Sequence, residues 1–206
     1  MSFKKNKYLV IKKIISKELV DFLYHYFQNK RRATEIMFEA RYLSPYNEDH
    51  GVWSDPQSPN TYSIYGDTVF DTVLEGVQEK IEKAVGHKLV PTYSYGRLYK
   101  AGDVLKHHTD RYSCEVSCTL NLGGDKKWPI YYDPKGLGKG IKITLNPGDL
   151  LLYYGKYKHW RDAFTGKICG QVFLHYNDKR DKESLRNIYD GRQYPGLPNW
   201  FKRWRQ

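Results

Sequence analysis

The sequence predicts an α+β domain that is mainly β, and two features of the residue pattern support this prediction. Before residue 87, apolar residues recur every three to four positions in two segments, which is the spacing of an amphipathic helix. From Lys88 onward, apolar and polar residues alternate in eight short segments separated by Gly, Pro, Asn and Asp, as in strands joined by turns. Helices followed by many short strands indicate a β-sandwich or barrel with helices on one side.

The chain is expected to form a single domain, because 206 residues suffice for one sizeable core but not comfortably for two. Residues 1–87 should supply N-terminal helices, residues 88–178 the strand-rich core and residues 179–206 a C-terminal tail. The aromatic side chains Trp200, Phe201 and Trp204 of this tail are expected to fold back onto the domain.

The first helix is predicted to follow a short strand at Tyr8 to Ile11. Ser16 is suited to cap the helix N-terminus, and Glu18 lies in the first turn, where a carboxylate interacts favourably with the helix dipole. The apolar residues at helical spacing are Leu19, Leu23, Tyr26 and Phe27. We expect this face to pack in the core.

The second helix has clearer limits. Asp67 can cap its N-terminus, and Gly86 fits its end. Its apolar positions are Phe70, Val73, Leu74, Val77 and Ile81. Between the helices, Tyr42 to Tyr65 is rich in Pro, Asn, Asp and Ser, and we expect a long loop that closes over substrate with Trp53 as an anchor.

The eight strands of the second half are predicted from period-two alternation bounded by turn residues. They are Leu89 to Tyr99, Val104 to Asp110, Cys114 to Leu122, Trp128 to Tyr132, Ile141 to Leu145, Leu150 to Tyr154, Lys158 to Phe164 and Ile168 to Tyr176.

The chain is strongly basic, with a formal charge of +11 from 34 Lys and Arg against 23 Asp and Glu. Such a charge favours acidic partners such as nucleic acid. However, the basic residues are scattered, with clusters only at Lys4 to Lys13, Lys30 to Arg32 and Lys202 to Arg205. A solvated surface is therefore favoured over a nucleic-acid footprint.

The composition also predicts a soluble, cytoplasmic protein. No run approaches the ~20 apolar residues of a membrane span. Cys114 and Cys118, on one strand, would lie about 13 Å apart, too far for a disulfide, and Cys169 would remain unpaired. Cysteines without a predicted disulfide indicate that the protein resides in a reducing compartment. The sequence gives no indication of an oligomeric state.

A histidine and a carboxylate stand two residues apart at His108 and Asp110, and His159 follows a later strand. On an extended strand, positions i and i+2 point to one face, and a histidine from another strand can complete a three-ligand site. Two histidines and one carboxylate are the ligands of an iron site with open coordination positions. His107 is a rival ligand, but as a neighbour of His108 it should point to the opposite face.

The spacing of His108 and Asp110 is by itself weak evidence for a metal site, because chance supplies about one such pair in a chain of this composition. The surrounding series resembles the 2-oxoglutarate and Fe(II)-dependent dioxygenases, in particular the prolyl-4-hydroxylase-like branch. The segments that carry the resemblance are Tyr93 to Tyr99, Gly102-Asp103, His108 to Arg111, Cys114 to Ser117, Leu120 to Gly123, Trp128-Pro129, Pro147 to Leu150, His159 to Arg161 and Gln171 to Tyr176. The resemblance implies a double-stranded β-helix, or jelly roll, with His108 and Asp110 as proximal ligands and His159 as the distal one.

The resemblance also implies the chemistry. Fe(II), 2-oxoglutarate and dioxygen would be required, ascorbate would stimulate, and decarboxylation of 2-oxoglutarate to succinate would be coupled to hydroxylation of a substrate C–H bond. A small-molecule or peptide substrate is expected, such as free or peptidyl proline or another amino acid. Two alternatives remain: an oxygenase that demethylates nucleic acid, favoured by the charge, and a jelly-roll binding module without catalysis.

The residue that anchors the far carboxylate of 2-oxoglutarate departs from the family pattern. Relatives place Arg or Lys on the strand after the distal histidine, and Cys169 stands there in this chain. If residues 165–167 form a three-residue hairpin loop, Arg161 faces Gln171 across the hairpin. Arg161 would then supply the charge and Gln171 a neutral donor, with Tyr99 or Arg97 reaching in from the first core strand. Alternatively, Arg161 pairs with a surface acid, or a two-residue loop turns Gln171 away.

Overall fold

The computed structural model describes residues 2–202 and contains two facing β-sheets. Its helices are α1 (Phe3–Asn6), α2 (Lys17–Glu39) and α3 (Thr68–Val85), with 3-10 helices at Tyr112–Cys114 and Lys182–Gly191. Its strands are β1 (Tyr8–Ile11), β2 (Tyr62–Tyr65), β3 (Leu89–Lys100), β4 (Leu105–His108), β5 (Val116–Gly124), β6 (Ile130–Asp133), β7 (Ile141–Ile143), β8 (Leu150–Tyr154), β9 (Lys158–Arg161) and β10 (Ile168–Asp178).

The sheets have the connectivity of a jelly roll. The larger sheet has the order β1-β8-β5-β10-β3-β2 and the smaller has the order β4-β9-β6-β7. Every paired strand is antiparallel to its neighbour. The eight strands after residue 87 form the double-stranded β-helix, so the predicted fold is confirmed, and β1 and β2 add two edge strands to the larger sheet.

Both long helices begin and end close to the predicted positions. The hydroxyl of Ser16 accepts a hydrogen bond from the Leu19 N–H, and the Asp67 carboxylate accepts from the first-turn N–H groups of α3. Gly86 ends α3 with φ +84°, which is costly for residues with a Cβ. One detail was wrong: Leu19, predicted to face the core, is 38% exposed because its side of α2 borders an open groove against α3.

Strand β10 shows how the larger sheet separates its two faces. Val172 and Leu174 pack with the helices in an apolar core, whereas Gln171, Phe173 and His175 face the smaller sheet. The other core residues on the helix side include Leu23, Phe27, Phe70, Leu74, Val77, Ile81, Leu98, Cys118, Leu120 and Leu152. The space between the sheets is therefore the polar side of the fold.

Three local predictions need correction. The loop predicted from Tyr42 to Tyr65 ends earlier, because residues 62–65 form β2 at the edge of the larger sheet. The strand predicted to begin at Cys114 is preceded by a 3-10 turn that includes this residue. The strands predicted to reach Asp110 and Phe164 end at His108 and Arg161.

The segment after β10 is fastened to α3 by a buried ion pair. The guanidinium of Arg192 lies 2.9 Å from the Asp71 carboxylate, and both side chains are fully buried. Arg192 also donates to the Leu197 carbonyl, and Gly196 N–H donates to Asp71. Farther on, the exposed Trp200 donates from Nε1 to Asp49, and Trp204 lies outside the described residues.

Two expectations from composition can be compared with the structure. All three cysteines are buried and free of disulfides. Within residues 2–202, none of the helices combines the length and apolarity that crossing a bilayer requires.

Arg192→Ala should lower the free energy of unfolding by about 3–5 kcal/mol, because it leaves the Asp71 carboxylate buried without its cation. Arg186→Ala is the matched control: its pair with Glu183 is exposed, so a loss of only about 0–1 kcal/mol is expected. Urea unfolding of the three proteins measures both values. Equal stability of the two variants would contradict the role given to Arg192.

Candidate metal centre and its pocket

Three side chains converge at one end of the space between the sheets. His108 ends β4, His159 lies directly opposite it on β9, and Asp110 follows two residues after His108. Their ligand atoms all lie within 4.8 Å of one another. The Asp110 Oδ1 atom is 3.5 Å from Nε2 of His108 and 3.4 Å from Nε2 of His159. Two nitrogens and one carboxylate oxygen therefore face a common point.

The imidazoles are oriented by the backbone of their own strands. Nδ1 of His108 donates to the Lys106 carbonyl at 2.9 Å, and Nδ1 of His159 donates to the Tyr157 carbonyl at 3.0 Å. A proton on Nδ1 leaves the lone pair of the neutral ring on Nε2, which is the atom that faces Asp110. Both rings are thus prepared as nitrogen ligands.

The predicted choice between neighbouring histidines agrees with the geometry. His107 is exposed on the other face of β4 and stacks on Trp160, with ring centroids 4.0 Å apart. It is not part of the cluster formed by His108, Asp110 and His159.

Asp110 reaches the site from a turn, not from the predicted strand. Its N–H donates to the Gly155 carbonyl at 2.8 Å. A Cβ at Gly155 would lie 2.2 Å from the Cys114 carbonyl oxygen and 2.7 Å from Asp110 Cβ, so only glycine allows this approach. Burial alone would raise the pKa of the Asp110 carboxyl, but hydrogen bonds from Nε2–H groups of His108 and His159 hold the pKa well below its usual value; a bound metal ion would take the place of these Nε2 protons.

Ser117 orients this carboxylate and was not identified from the sequence. Its hydroxyl donates to Asp110 Oδ2 at 2.9 Å, leaving Oδ1 toward the imidazoles. The same hydroxyl oxygen lies 3.0 Å from Nδ1 of His175, which is buried. Burial lowers the pKa of His175 to about 4, so its ring is neutral at pH 7. His175 is therefore a partner of the site through Ser117.

The cluster lies in a pocket of about 200 Å³. Its walls combine apolar side chains with a few polar ones, as is usual for small-molecule sites. The apolar and aromatic wall residues are Tyr93, Tyr95, Leu105, Cys114, Ile130, Tyr153 and Phe173, and the remaining polar ones are Asp55, Gln57, Arg97 and His175.

Arg97 lines this pocket but is already neutralised. Its guanidinium forms an ion pair with Asp55 and donates to the Gln57 side chain and to the Tyr99 hydroxyl, both at 3.1 Å. Burial alone would raise the pKa of the Asp55 carboxyl, but Arg97 lowers it below its usual value. The positive charge of Arg97 is therefore directed at the loop residue Asp55.

Arg161 and Gln171 are in contact, although the hairpin predicted to join them does not exist. β9 pairs with β4 and β6 in the smaller sheet, while β10 pairs with β3 and β5 in the larger. The two side chains instead meet across the interior, where Arg161 Nη2 donates to Gln171 Oε1 at 3.3 Å. The predicted register was wrong, and the predicted contact was correct.

The guanidinium of Arg161 is 1% exposed and has no carboxylate within ion-pair distance among residues 2–202. This excludes the alternative of a surface ion pair within that range. Nη1 donates to the Trp128 carbonyl, but Nε has no hydrogen-bond partner. Arg161 and Gln171 line a cavity of about 60 Å³, separate from the larger pocket. Burial lowers the pKa of Arg161.

The long loop between α2 and β2 forms one wall of the metal pocket. Asp55 accepts from the Tyr95 hydroxyl at 2.5 Å and from Arg97, so the loop is tied to β3 at two points. Trp53 packs on Phe38 and Tyr62 and anchors the loop to the domain. Closure of the loop over substrate remains a prediction.

A second cleft of about 350 Å³ shares Asp55 and Tyr95 with the metal pocket. It runs toward the C-terminal segment at Trp200. Its charged residues are Lys30, Glu48, Asp49, Asp55 and Asp67, and Lys30 pairs with Asp67 at 3.1 Å. The mouth beside the metal pocket therefore carries more acidic than basic side chains.

Solved structures share this fold. A prolyl-4-hydroxylase from Pseudomonas putida has a TM-score of 0.56 and 14% identity, over 86% of this chain and 95% of that chain. A viral collagen prolyl hydroxylase from Paramecium bursaria Chlorella virus-1, in complex with 2-oxoglutarate, has a TM-score of 0.57 and 13% identity, over 84% and 97%. HygX from Streptomyces hygroscopicus, with nickel and 2-oxoglutarate bound, has a TM-score of 0.59 and 15% identity, over 86% and 85%.

These likenesses confirm the predicted resemblance at the level of the fold, which is the jelly roll of 2-oxoglutarate-dependent oxygenases. No protein-family model matches the sequence, and no curated protein matches it.

Asp55→Ala should release the loop from β3, because it removes the acceptor shared by Tyr95 and Arg97. Amide hydrogen exchange of residues 52–58 should become about tenfold faster or more, as expected for the loss of about 1.5–3 kcal/mol of charge-assisted hydrogen bonding. Asp49→Ala, which removes the exposed contact to Trp200, is the control. Unchanged protection of residues 52–58 in Asp55→Ala would contradict the proposed attachment.

Proposed function

We propose that the protein is an Fe(II)- and 2-oxoglutarate-dependent oxygenase that hydroxylates a C–H bond of a small-molecule or peptide substrate. The observation that carries the proposal is the convergence of His108, Asp110 and His159, each oriented by a second hydrogen bond, inside a jelly roll. Free or peptidyl proline and other amino acids are the substrates that the resemblance suggests.

The donor set fits Fe(II). Two neutral imidazole nitrogens and one carboxylate oxygen on one side of a metal leave open positions for co-substrate and dioxygen. When bound, iron and 2-oxoglutarate supply dioxygen activation, in which 2-oxoglutarate becomes succinate and carbon dioxide while the substrate C–H bond is oxidised. Ascorbate would then act as a reductant that maintains Fe(II).

The chain itself contributes orientation and a dry pocket. The carbonyls behind His108 and His159 and the hydroxyl of Ser117 hold the ligands in one arrangement, which raises metal affinity. Apolar walls, including Leu105 and Phe173, limit water around the site.

Arg161 is the proposed anchor for the far carboxylate of 2-oxoglutarate, with Gln171 as a neutral partner. Two observations support it over Arg97. Within residues 2–202, Arg161 is a buried cation without an acidic partner and with an unpaired Nε–H, whereas Arg97 is compensated by Asp55. Arg161 also pairs in register with Leu105, which lines the metal pocket, so the two side chains lie on the same face of the smaller sheet. Tyr99 and Arg97 complete the polar surroundings.

The charge at the mouth favours a small molecule or peptide over nucleic acid. Of the acidic residues that line the cleft next to the pocket, Asp55 is paired with Arg97, whereas Glu48 and Asp49 have no basic partner within ion-pair distance among residues 2–202 and would repel a polyphosphate backbone. Lys30, from one of the basic clusters, also lies in the cleft but is paired with Asp67.

His108→Ala and Asp110→Ala should each abolish iron-dependent conversion of 2-oxoglutarate to succinate, because two remaining ligands hold the metal poorly. Circular dichroism should show the fold intact, and anaerobic Fe(II) titration should show weakened binding. His107→Ala is the matched control, since its ring stacks outside the site, and it should keep most of the turnover. An equal loss in all three variants would refute the assignment. Absence of succinate from the wild-type protein with Fe(II) would favour a binding module.

Arg161→Gln should raise the KM for 2-oxoglutarate by about tenfold to a hundredfold, because a hydrogen bond to a charged group contributes about 1.5–3 kcal/mol. Fe(II) affinity should remain nearly unchanged. The exposed Lys167 serves as a control for charge alone, so Lys167→Ala should leave KM unaltered. If Arg97→Gln raises KM while Arg161→Gln does not, the anchor is Arg97.

A further inference from the structure

A tyrosine and a cysteine touch inside the metal pocket. The phenol oxygen of Tyr93, on β3, lies 3.0 Å from Sγ of Cys114, at the end of the 3-10 turn after Asp110. The two residues are 8% and 3% exposed, and both line the pocket with the three candidate ligands. Nothing in the proposed reaction uses either side chain.

The contact is held in place on all sides. The Tyr93 ring lies 4.8 Å from the Tyr65 ring and 4.7 Å from the His175 ring, and the Arg111 guanidinium covers it at 4.7 Å. Arg111 is itself fixed by an ion pair with Asp190 at 2.8 Å. These contacts hold the phenol beside Cys114.

Cys114 is held with similar firmness. Its carbonyl oxygen lies 2.9 Å from the Ser117 hydroxyl, whose single proton is shared between this carbonyl and the Asp110 carboxylate. Burial raises the pKa of the Cys114 thiol to about 12, so it is not a thiolate nucleophile at neutral pH. Its available chemistry is oxidation, and disulfide formation is excluded because Cys118 and Cys169 are buried on other parts of the sheet.

We propose that Tyr93 and Cys114 become joined by a thioether bond between Sγ and the ring carbon beside the hydroxyl, formed by the oxygenase reaction when no substrate is bound. This inference rests on the proposed function. One hydrogen leaves the thiol, one leaves the ring carbon, and the C–S bond forms. The two electrons and two protons pass to oxygen as water, so that 2-oxoglutarate, dioxygen, a ring C–H and a thiol give succinate, carbon dioxide, the thioether and water.

The geometry of the pocket favours formation of the thioether over unspecific oxidation of side chains. A phenol and a thiol in van der Waals contact are both readily oxidised, and the metal cluster lies in the same enclosed space. The bond would fix the end of the 3-10 turn, which directly precedes β5 and Ser117, to β3. A linked Tyr93 ring would also shape the wall beside His175.

The test is peptide mass analysis of the purified full-length protein after incubation in air with Fe(II), 2-oxoglutarate and ascorbate, compared with an anaerobic sample. Trypsin should release residues 89–97 joined to residues 112–126, lighter by two hydrogen atoms than the sum of the two peptides. Under reducing and denaturing conditions, titratable thiols should fall from three toward two.

Tyr93→Phe and Cys114→Ser should each prevent the linkage, whereas Cys118→Ala should allow it, because Cys118 lies in the helix-side core. Asp110→Ala should prevent it if the metal site is the oxidant. Succinate is measured in the same samples. Succinate production with three free thiols, or with oxygen added to either residue in place of the linkage, overturns this inference and leaves the proposed function standing. If no succinate forms, the proposed function is contradicted instead.

Discussion

The alternation of side chains along the inner strands of the larger sheet is the constraint on which the rest of the structure depends. In β10, every second residue packs against α2 and α3, and the residues between them face the smaller sheet. Apolar burial on the helix side stabilises the sheet and thereby holds the opposite face rigid. That face can carry Gln171 and His175 in a buried position because neighbouring strands supply their hydrogen-bond partners. A register shift of one residue would exchange the two sets.

The three candidate metal ligands are held in place in different ways. His108 and His159 are cross-strand neighbours in the smaller sheet, so strand pairing alone brings them together. Asp110 lies beyond the end of β4 and depends on a turn, on Gly155 and on Ser117 from the opposite sheet. The centre thus spans both sheets.

The sequence predicted the fold class, both long helices and the eight core strands, because period and turn residues are local signals. It also predicted that His108, Asp110 and His159 lie together. His108 and Asp110 are two residues apart, and their side chains still converge although Asp110 lies in a turn and not on the predicted strand. It failed on strand partners: β9 and β10 enter opposite sheets, so counting across the loop between them gave a hairpin that does not form. Ser117 was missed because a serine on an alternating strand carries no distinguishing pattern, and β2 was missed because its apolar run is short and follows a loop-like segment.

The same network connects the site to the end of the described chain. Asp190 accepts from Arg111, Ser113 and Tyr65, and Arg111 is adjacent to Asp110 and covers Tyr93. The segment that carries Asp190 is in turn held by the Arg192–Asp71 pair against α3. Asp190, Asp71 and Arg192 are buried and charged, so removing a partner of any of them leaves a buried charge uncompensated. The C-terminal segment is therefore part of the wall that fixes the pocket, and its attachment to α3 determines how firmly Tyr93 and the turn after Asp110 are held.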